Sequence, residues 1–346
     1  EGDMVEFRKT GTEPGVEKST TVNYDGLMGD VAAGNTLVVD NGALLMRIET
    51  VAADRIVCSV KTPGTMGSRR HINLPGVRLN LPALTEKDHK DLALAVECEA
   101  DYIAGSFVRD AAHVRELRHA MKALEGDAQI IAKIEDQEAV RNIDSIIHEA
   151  DVIMIARGDL GTEVEFEELP LLQRRIIKRC HELGTRVIVA TQLLESMITQ
   201  PTPTRAEVTD VMNAAYEEAD ALMLSGETSV GRYPERCIDA LVRISTRIER
   251  SGGQGFGQTM LLRDERQKVA RAAVTLADSL ADARLVVLTR RGLLANQVAM
   301  LRPRTSGFFA VTPRESVCRQ LALTRGVRAM KLSFSSNIEE TIARVT

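Results

Sequence analysis

The stretch VIMIARGDLG, residues 152–161, holds five apolar residues in a row, then Arg157, Gly158 and Asp159. An apolar run of strand length with no polar alternation suits a parallel strand buried on both faces. Four more runs share this form: YIAGSF (102–107), IIAKIE (130–135), VIVATQ (187–192) and ALMLSG (221–226). Between them lie longer amphipathic stretches. One, PLLQRRIIKRCHELG (170–184), reads as a helix that Gly184 caps. Strands alternating with helices predict an α/β fold around a parallel sheet over residues 75–250. The tripeptide Glu-Ala-Asp precedes three of the five strands, at 99–101, 149–151 and 218–220. It is a weak repeat of one helix–loop–strand unit.

The polar residues of these runs gather at the carboxyl ends. They are Ser106, then Lys133 with Glu135, then Arg157, Gly158 and Asp159, then Thr191 and Gln192, then Ser225 and Glu227. Carboxyl ends of parallel strands face the ligand in α/β architectures. A strand points Lys133 and Glu135 the same way. Glu135 and Asp159 supply two carboxylates from adjacent strands, a donor set suited to Mg²⁺ or Mn²⁺. Gly158 lets backbone approach a ligand. The segment from Asp159 onward suits a short helix whose free N–H groups bind an anion. Lys133 adds a point charge fit for a phosphoryl group.

Plainer readings stand beside these. One acidic residue at a strand end is usually a cap or turn former, and Lys133–Glu135 also fits a structural ion pair. Arg157-Gly158-Asp159 follows a buried strand, which speaks against an adhesion motif. SGGQGFGQ (251–258) follows no strand and lacks a Lys-Ser/Thr pair, so it reads as a linker and not a phosphate loop.

On the amino-terminal side, residues 1–74 read as a small all-β unit. Asn41-Gly42 between apolar runs predicts a hairpin, and YDGLMGDV (24–31) and KTPGTMGS (61–68) predict turns. Residues 251–260 form the linker, and 261–346 a smaller α/β unit with strands at 285–289 and 308–312.

A net charge of −5 and an aromatic content of 3% without Trp argue against nucleic acid as a partner. No apolar run reaches the roughly 18 residues of a membrane span. Five scattered cysteines suit a reducing cytoplasm and no zinc spacing. The start, EGDMVEFRKT, is neither a signal nor a transit peptide and has no initial Met. The expectation is a chain that begins inside a longer protein.

IIAKIEDQEAV, IMIARGDLGTEV, VIVATQLLESMITQPTPTRAEVTDVMNAA and ADALMLSGETSVGRYP resemble pyruvate kinases, as do GSRRHINLPG (67–76) and LRPR (301–304). The resemblance covers nearly the whole chain, and the ATQLLESM…PTRAE block is its most specific part. It implies phosphoryl transfer from phosphoenolpyruvate to ADP, giving pyruvate and ATP. It implies a partial TIM (β/α)8 barrel of strands four to eight, with an inserted all-β lid and a partial C-terminal α/β unit. Glu135 and Asp159 match the family's divalent-metal ligands, and Lys133 the lysine that stabilises the transferring phosphoryl group. Gly158 and Asp159 match backbone positions that hold the substrate carboxylate. Thr191 matches a substrate-contacting threonine where the enolate is protonated. Ser106 joins the substrate-binding set, and Arg70 matches a nucleotide-binding residue on the lid. Mg²⁺ or Mn²⁺, K⁺ and a homotetramer in the cytoplasm are further implications, with no nucleic-acid or membrane partner.

Three departures follow from the same resemblance. The family's first three strands carry a phosphate-binding arginine, a further nucleotide-binding arginine and the K⁺ ligands, and no residue here matches them. Five strands cannot close an eight-stranded barrel, so the expectation is an incomplete form with little or no activity, its turnover not within roughly tenfold of a full-length relative. In LTRRGLLANQ (288–297), Arg291, Leu293 and Leu294 replace hydroxyls of the fructose 1,6-bisphosphate loop, which predicts no activation by that effector. Two other readings compete with the kinase. One is another Mg²⁺-dependent barrel lyase handling pyruvate-like acids; the other is a non-catalytic remnant that binds metal or partners.

Overall fold

The structure is a computed structural model that describes every residue except 41, 305, 306 and 346. Three sheets organise it. The first has six strands, in the order β2-β1-β5-β4-β3-β6. They are β1 (Met4–Lys9), β2 (Ser19–Val22), β3 (Thr36–Val39), β4 (Leu44–Val51), β5 (Arg55–Val60) and β6 (Ile72–Asn73). A four-residue helix, α1 (Leu27–Asp30), interrupts the β structure. Alternation sets the buried face: Leu44, Met46 and Ile48 point inward from β4 while Leu45, Arg47 and Glu49 do not. This unit has its own core, with Phe7, Leu37 and Ile56 fully buried. The predicted Asn41-Gly42 turn includes a residue outside the described set; its flanking strands β3 and β4 pair antiparallel.

The second sheet is wholly parallel, in the order β11-β10-β9-β8-β7. Its strands are β7 (Tyr102–Gly105), β8 (Gln129–Ile134), β9 (Val152–Ala156), β10 (Arg186–Ala190) and β11 (Ala221–Met223). Neighbours in space follow the order in sequence, as in a barrel wall. The helices between and around them are α2 (Glu86–Glu97), α3 (Ala111–Ala123), α4 (Gln137–Arg141), α5 (Ile143–Glu149), α6 (Arg157–Glu163), α7 (Leu169–Leu183), α8 (Arg205–Tyr216), α9 (Gly226–Ser229) and α10 (Pro234–Glu249). Alternate residues serve two cores. Ile130, Ile153, Ile155, Val187 and Val189 pack against the helices. Ile131, Val152, Met154, Ile188 and Ala190 pack on the other face. That double burial is why the runs are apolar throughout. The sheet is a curled partial barrel whose edge strands, among the described residues, are β7 and β11.

The third sheet, β12-β13-β14, is also parallel and comprises Arg284–Leu288, Gly307–Thr312 and Arg328–Lys331. It carries α11 (Glu265–Ser279), α12 (Leu293–Met300), α13 (Glu315–Leu321) and α14 (Ile338–Ala343). This unit docks on the amino ends of the barrel strands. Arg186, the first residue of β10, donates to Thr324 Oγ1 at 3.2 Å, and Arg319 pairs with Asp101 at 2.8 Å. The carboxyl ends are left on the opposite side.

Residues 251–260 differ from a loose linker. Phe256 is buried, and the Gly255 and Gly257 N–H groups donate to the Glu218 carboxylate at 3.0 Å each. The Glu-Ala-Asp repeat acquires a reason too. Asp151, before β9, accepts from Ile130 N in β8 at 2.8 Å. Asp220, before β11, accepts from Val187 N in β10 at 2.8 Å. Each aspartate thus ties its strand to the preceding one. Asp101 precedes the edge strand β7 and pairs with Arg319 instead.

Candidate functional site

Lys133 lies next to last in β8, and Glu135 is the first residue beyond that strand. Their side chains meet, with Lys133 Nζ 2.6 Å from Glu135 Oε1. Lys133 also donates to Ser106 Oγ, just past β7, at 3.0 Å. The other Glu135 oxygen accepts from Phe107 N–H. Phe107 takes φ 49°, a left-handed conformation unusual for a bulky residue, which turns its N–H toward the carboxylate. Glu135 is 1% exposed. Burial pushes its carboxyl above the usual range; Lys133 opposes the shift and the charge of Asp159 adds to it. The ends of β7 and β8 therefore bring Ser106, Lys133 and Glu135 together, with Asp159 close enough to act on Glu135.

The second half of the site joins β9 to β10. Helix α6 begins at Arg157, two residues earlier than the sequence suggests, so Gly158 and Asp159 lie inside its first turn. Gly158 N–H donates to Thr191 Oγ1 at 2.8 Å, and Thr191 Oγ1 donates to Ala190 O at 2.6 Å. A Cβ built on Gly158 would meet Thr191 Oγ1 at 3.5 Å, which is ordinary contact. The helix backbone tolerates alanine here, so the glycine matters for what approaches it.

Not every strand-end residue faces the ligand side. Arg157, read from sequence among the outward polar groups, is 6% exposed. Its guanidinium pairs with Asp210 at 2.8 Å and donates to Thr191 O at 2.6 Å and Gln192 O at 3.0 Å. Thr191 and Gln192 both have left-handed φ, 69° and 53°. Arg157 thus holds a strained turn in place. Glu227 is 2% exposed, and its carboxylate accepts from Leu194 N at 3.0 Å and Ser225 N at 2.7 Å. It braces loops and presents no charge to a ligand. Both lie in the first turn of a short helix, α6 or α9, and are drawn inward by backbone groups of the 191–194 loop, whose path the sequence does not show.

Arg70 is not brought to the cluster. It sits on the first sheet's unit, half exposed, and pairs with Asp40 at 3.3 Å. A cleft of about 1640 Å³ separates that unit from β7, and Arg70 and Ser106 line it from opposite sides. Lys133, Glu135, Asp159 and Thr191 lie beside this cleft and do not line it. The chemistry is placed by the cluster and not by this cleft.

The donor set fits a hard divalent cation. A desolvated carboxylate already raised by a second one is a place where added positive charge lowers the energy. Among the described residues no group of three or more acidic, His or Cys side chains forms a cage. Glu135 and Asp159 would leave the remaining places to water and substrate oxygens, as Mg²⁺ prefers.

Sequence reading missed two features here. Glu163, at the end of α6, has its carboxyl pushed up to about 7 by burial and then by Asp136. Glu207, in the PTRAE block, forms a capping box with Thr204 and also accepts from Ser196 N at 2.7 Å and Ser196 Oγ at 2.6 Å. The Thr-x-x-Glu spacing of a capping box was visible in the sequence.

Comparison with known proteins bears on the family of the chain. Residues 3–238 match the family model described as pyruvate kinase, barrel domain, and residues 267–346 the model described as pyruvate kinase, alpha/beta domain. A chloroplastic pyruvate kinase isozyme G of Ricinus communis is 40% identical over 331 residues, covering 95% of this chain and 79% of that protein. A Bacillus licheniformis pyruvate kinase is 39% identical over 341 residues, covering 95% of this chain and 57% of that protein. A crystal structure of a Cryptosporidium parvum pyruvate kinase superposes with a TM-score of 0.92 at 32% identity, covering 99% of this chain and 72% of that one. The chain spans little more than half the length of several relatives and about four fifths of another. With both of its α/β units matched, the chain belongs to the pyruvate kinase family.

Proposed function

We propose that the cluster of Lys133, Glu135, Asp159, Gly158 and Thr191 transfers a phosphoryl group from phosphoenolpyruvate to ADP, giving pyruvate and ATP. The observation that carries this is the convergence of a lysine, two carboxylates and a backbone-bound hydroxyl at the carboxyl ends of β7–β10. Phosphoryl transfer needs positioning and charge neutralisation more than covalent help from the protein. Lys133 is placed to stabilise negative charge on the transferring group, with Ser106 and Glu135 fixing its Nζ. Glu135 and Asp159 would hold Mg²⁺ or Mn²⁺, which supplies charge neutralisation for substrate oxygens when bound. The Gly158 and Asp159 backbone, in the first turn of α6, faces the substrate carboxylate. Thr191 Oγ1, fixed by Gly158 and Ala190, is the hydroxyl next to the enolate carbon. Arg70 meets the nucleotide from across the cleft.

We further read residues 1–74 as the lid, 75–250 as the barrel unit, 251–260 as its connection and 261–346 as the C-terminal unit. The separate apolar cores support this division. No helix among the described residues is long and apolar enough to cross a membrane. A cytoplasmic homotetramer completes the reading; K⁺ use belongs to the full-length family, whose K⁺ ligands no residue here matches. The test is pyruvate formation from phosphoenolpyruvate and ADP, dependent on Mg²⁺ and lost on Glu135→Gln.

A further inference from the structure

Within this sequence, a strap of residues 74–84 runs from the first sheet's unit into the barrel unit. Its two ends belong to different bodies. Val77 and Leu79 pack on the core of the six-stranded sheet, whereas Leu84 packs on the barrel core. The strap turns at Pro75–Gly76, where Gly76 takes φ 74°, and bends again at Ala83–Leu84, with an irregular run between.

Clasps from both bodies close on the run between those two turns, at residues 79–81. From the barrel side, the Arg109 guanidinium donates to Leu79 O and Leu81 O. Arg109 is itself fixed, because its carbonyl accepts from Asn142 Nδ2 at 3.0 Å and Asp110 beside it caps α3. From the lid side, the Asp30 carboxylate at the end of α1 accepts from Asn80 N at 2.9 Å, Asn80 Nδ2 at 2.8 Å and Tyr24 Oη. Burial works against the Asp30 charge, yet the Tyr24 and Asn80 donors hold its carboxyl below the usual range. Asn80 is therefore gripped by the lid while the carbonyls on either side of it are gripped by the barrel. Arg78 adds a looser contact to Glu138 at 3.6 Å.

We infer that Arg109 is a positioning residue that sets the angle of the six-stranded sheet over the barrel unit, and with it the gap between Arg70 and Lys133. A planar guanidinium spanning two carbonyls fixes orientation as well as distance, which one ammonium cannot do. The neighbouring contact between β6 and α6 links the strap's root to the helix that carries Gly158 and Asp159. The angle itself does not depend on the proposed reaction; its effect on turnover rests on that reading.

The test measures the angle directly. Spin labels go on Ala33→Cys in the lid and Glu116→Cys on α3, both exposed, in a Cys98→Ser, Cys318→Ser background. Pulsed electron resonance then gives the distance distribution. Arg109→Ala is expected to broaden it roughly twofold, with Arg109→Lys in between. Asn80→Ala, which releases the lid clasp from an exposed position, should broaden it too. A folded Arg109→Ala protein with the parent distribution overturns the inference. If that variant does not fold, an unchanged distribution in Asn80→Ala overturns it equally. In the same variants, KM for ADP should rise several-fold more than kcat falls. A parent without turnover would defeat the proposed reaction and leave the distance result standing.

Discussion

Arg157 and Asp159 flank Gly158, and the fold gives them different neighbours. Arg157 is spent on the Thr191–Gln192 turn, while Asp159 acts on Glu135. Two left-handed non-glycine residues cost on the order of 1–3 kcal/mol each, so the turn needs such a clamp. Arg157→Met leaves Asp210 and two carbonyls without their partner; it should cost about 3–5 kcal/mol in urea unfolding. Gly158→Ala behaves differently. Its new methyl makes only ordinary contact with Thr191, so stability should change by less than about 1 kcal/mol. Phosphoenolpyruvate binding, followed by calorimetry, should nonetheless weaken, because the methyl stands where the ligand approaches backbone. Glu163 predicts a pH effect. Its folded pKa of about 7 lies above the ordinary 4.5, with burial the main cause and Asp136 the next. A raised pKa gives stability that is present below 4.5 and lost as pH rises through 7. Glu163→Gln should therefore melt at a higher temperature than the parent near pH 8 and show no such gain near pH 4.

At the scale of elements, the apolar runs were legible because burial on both sheet faces leaves no room for polar alternation. Lys133 and Glu135 were legible because two residues apart on a strand share a face. The fates of Arg157 and Glu227 were not. Both depend on loop dihedrals, such as φ 69° at Thr191, that no periodicity encodes. Arg70 was legible as a type of residue but not as a position, because its gap from Lys133 is set by a strap whose clasps lie 30 to 50 residues away in sequence. The PTRAE block shows a local signature with a structural cause. Thr204→Ala should lose the α8 cap and cost about 1 kcal/mol, measured by thermal or urea unfolding.

For the whole molecule, the site stands where two seams leave it room. The C-terminal unit closes the amino ends of the strands. Its Arg302 pairs with buried Asp220 at 2.8 Å and approaches His181 Nε2 at 3.2 Å. Burial, then the Arg302 charge, lowers the His181 pKa at this seam. The six-stranded unit stands over the other side and carries Arg70 on the cleft. The proposed reaction thus belongs to the assembly of units, while its charged groups Lys133, Glu135 and Asp159 come from two strand ends, those of β8 and β9. The most direct measurement is pyruvate release from phosphoenolpyruvate and ADP with Mg²⁺, comparing the protein with Lys133→Ala. The account predicts release that falls at least about 100-fold in the variant. Equal release from both proteins would contradict it, whereas none from either while both are folded would mark the incomplete form that the missing strands predict.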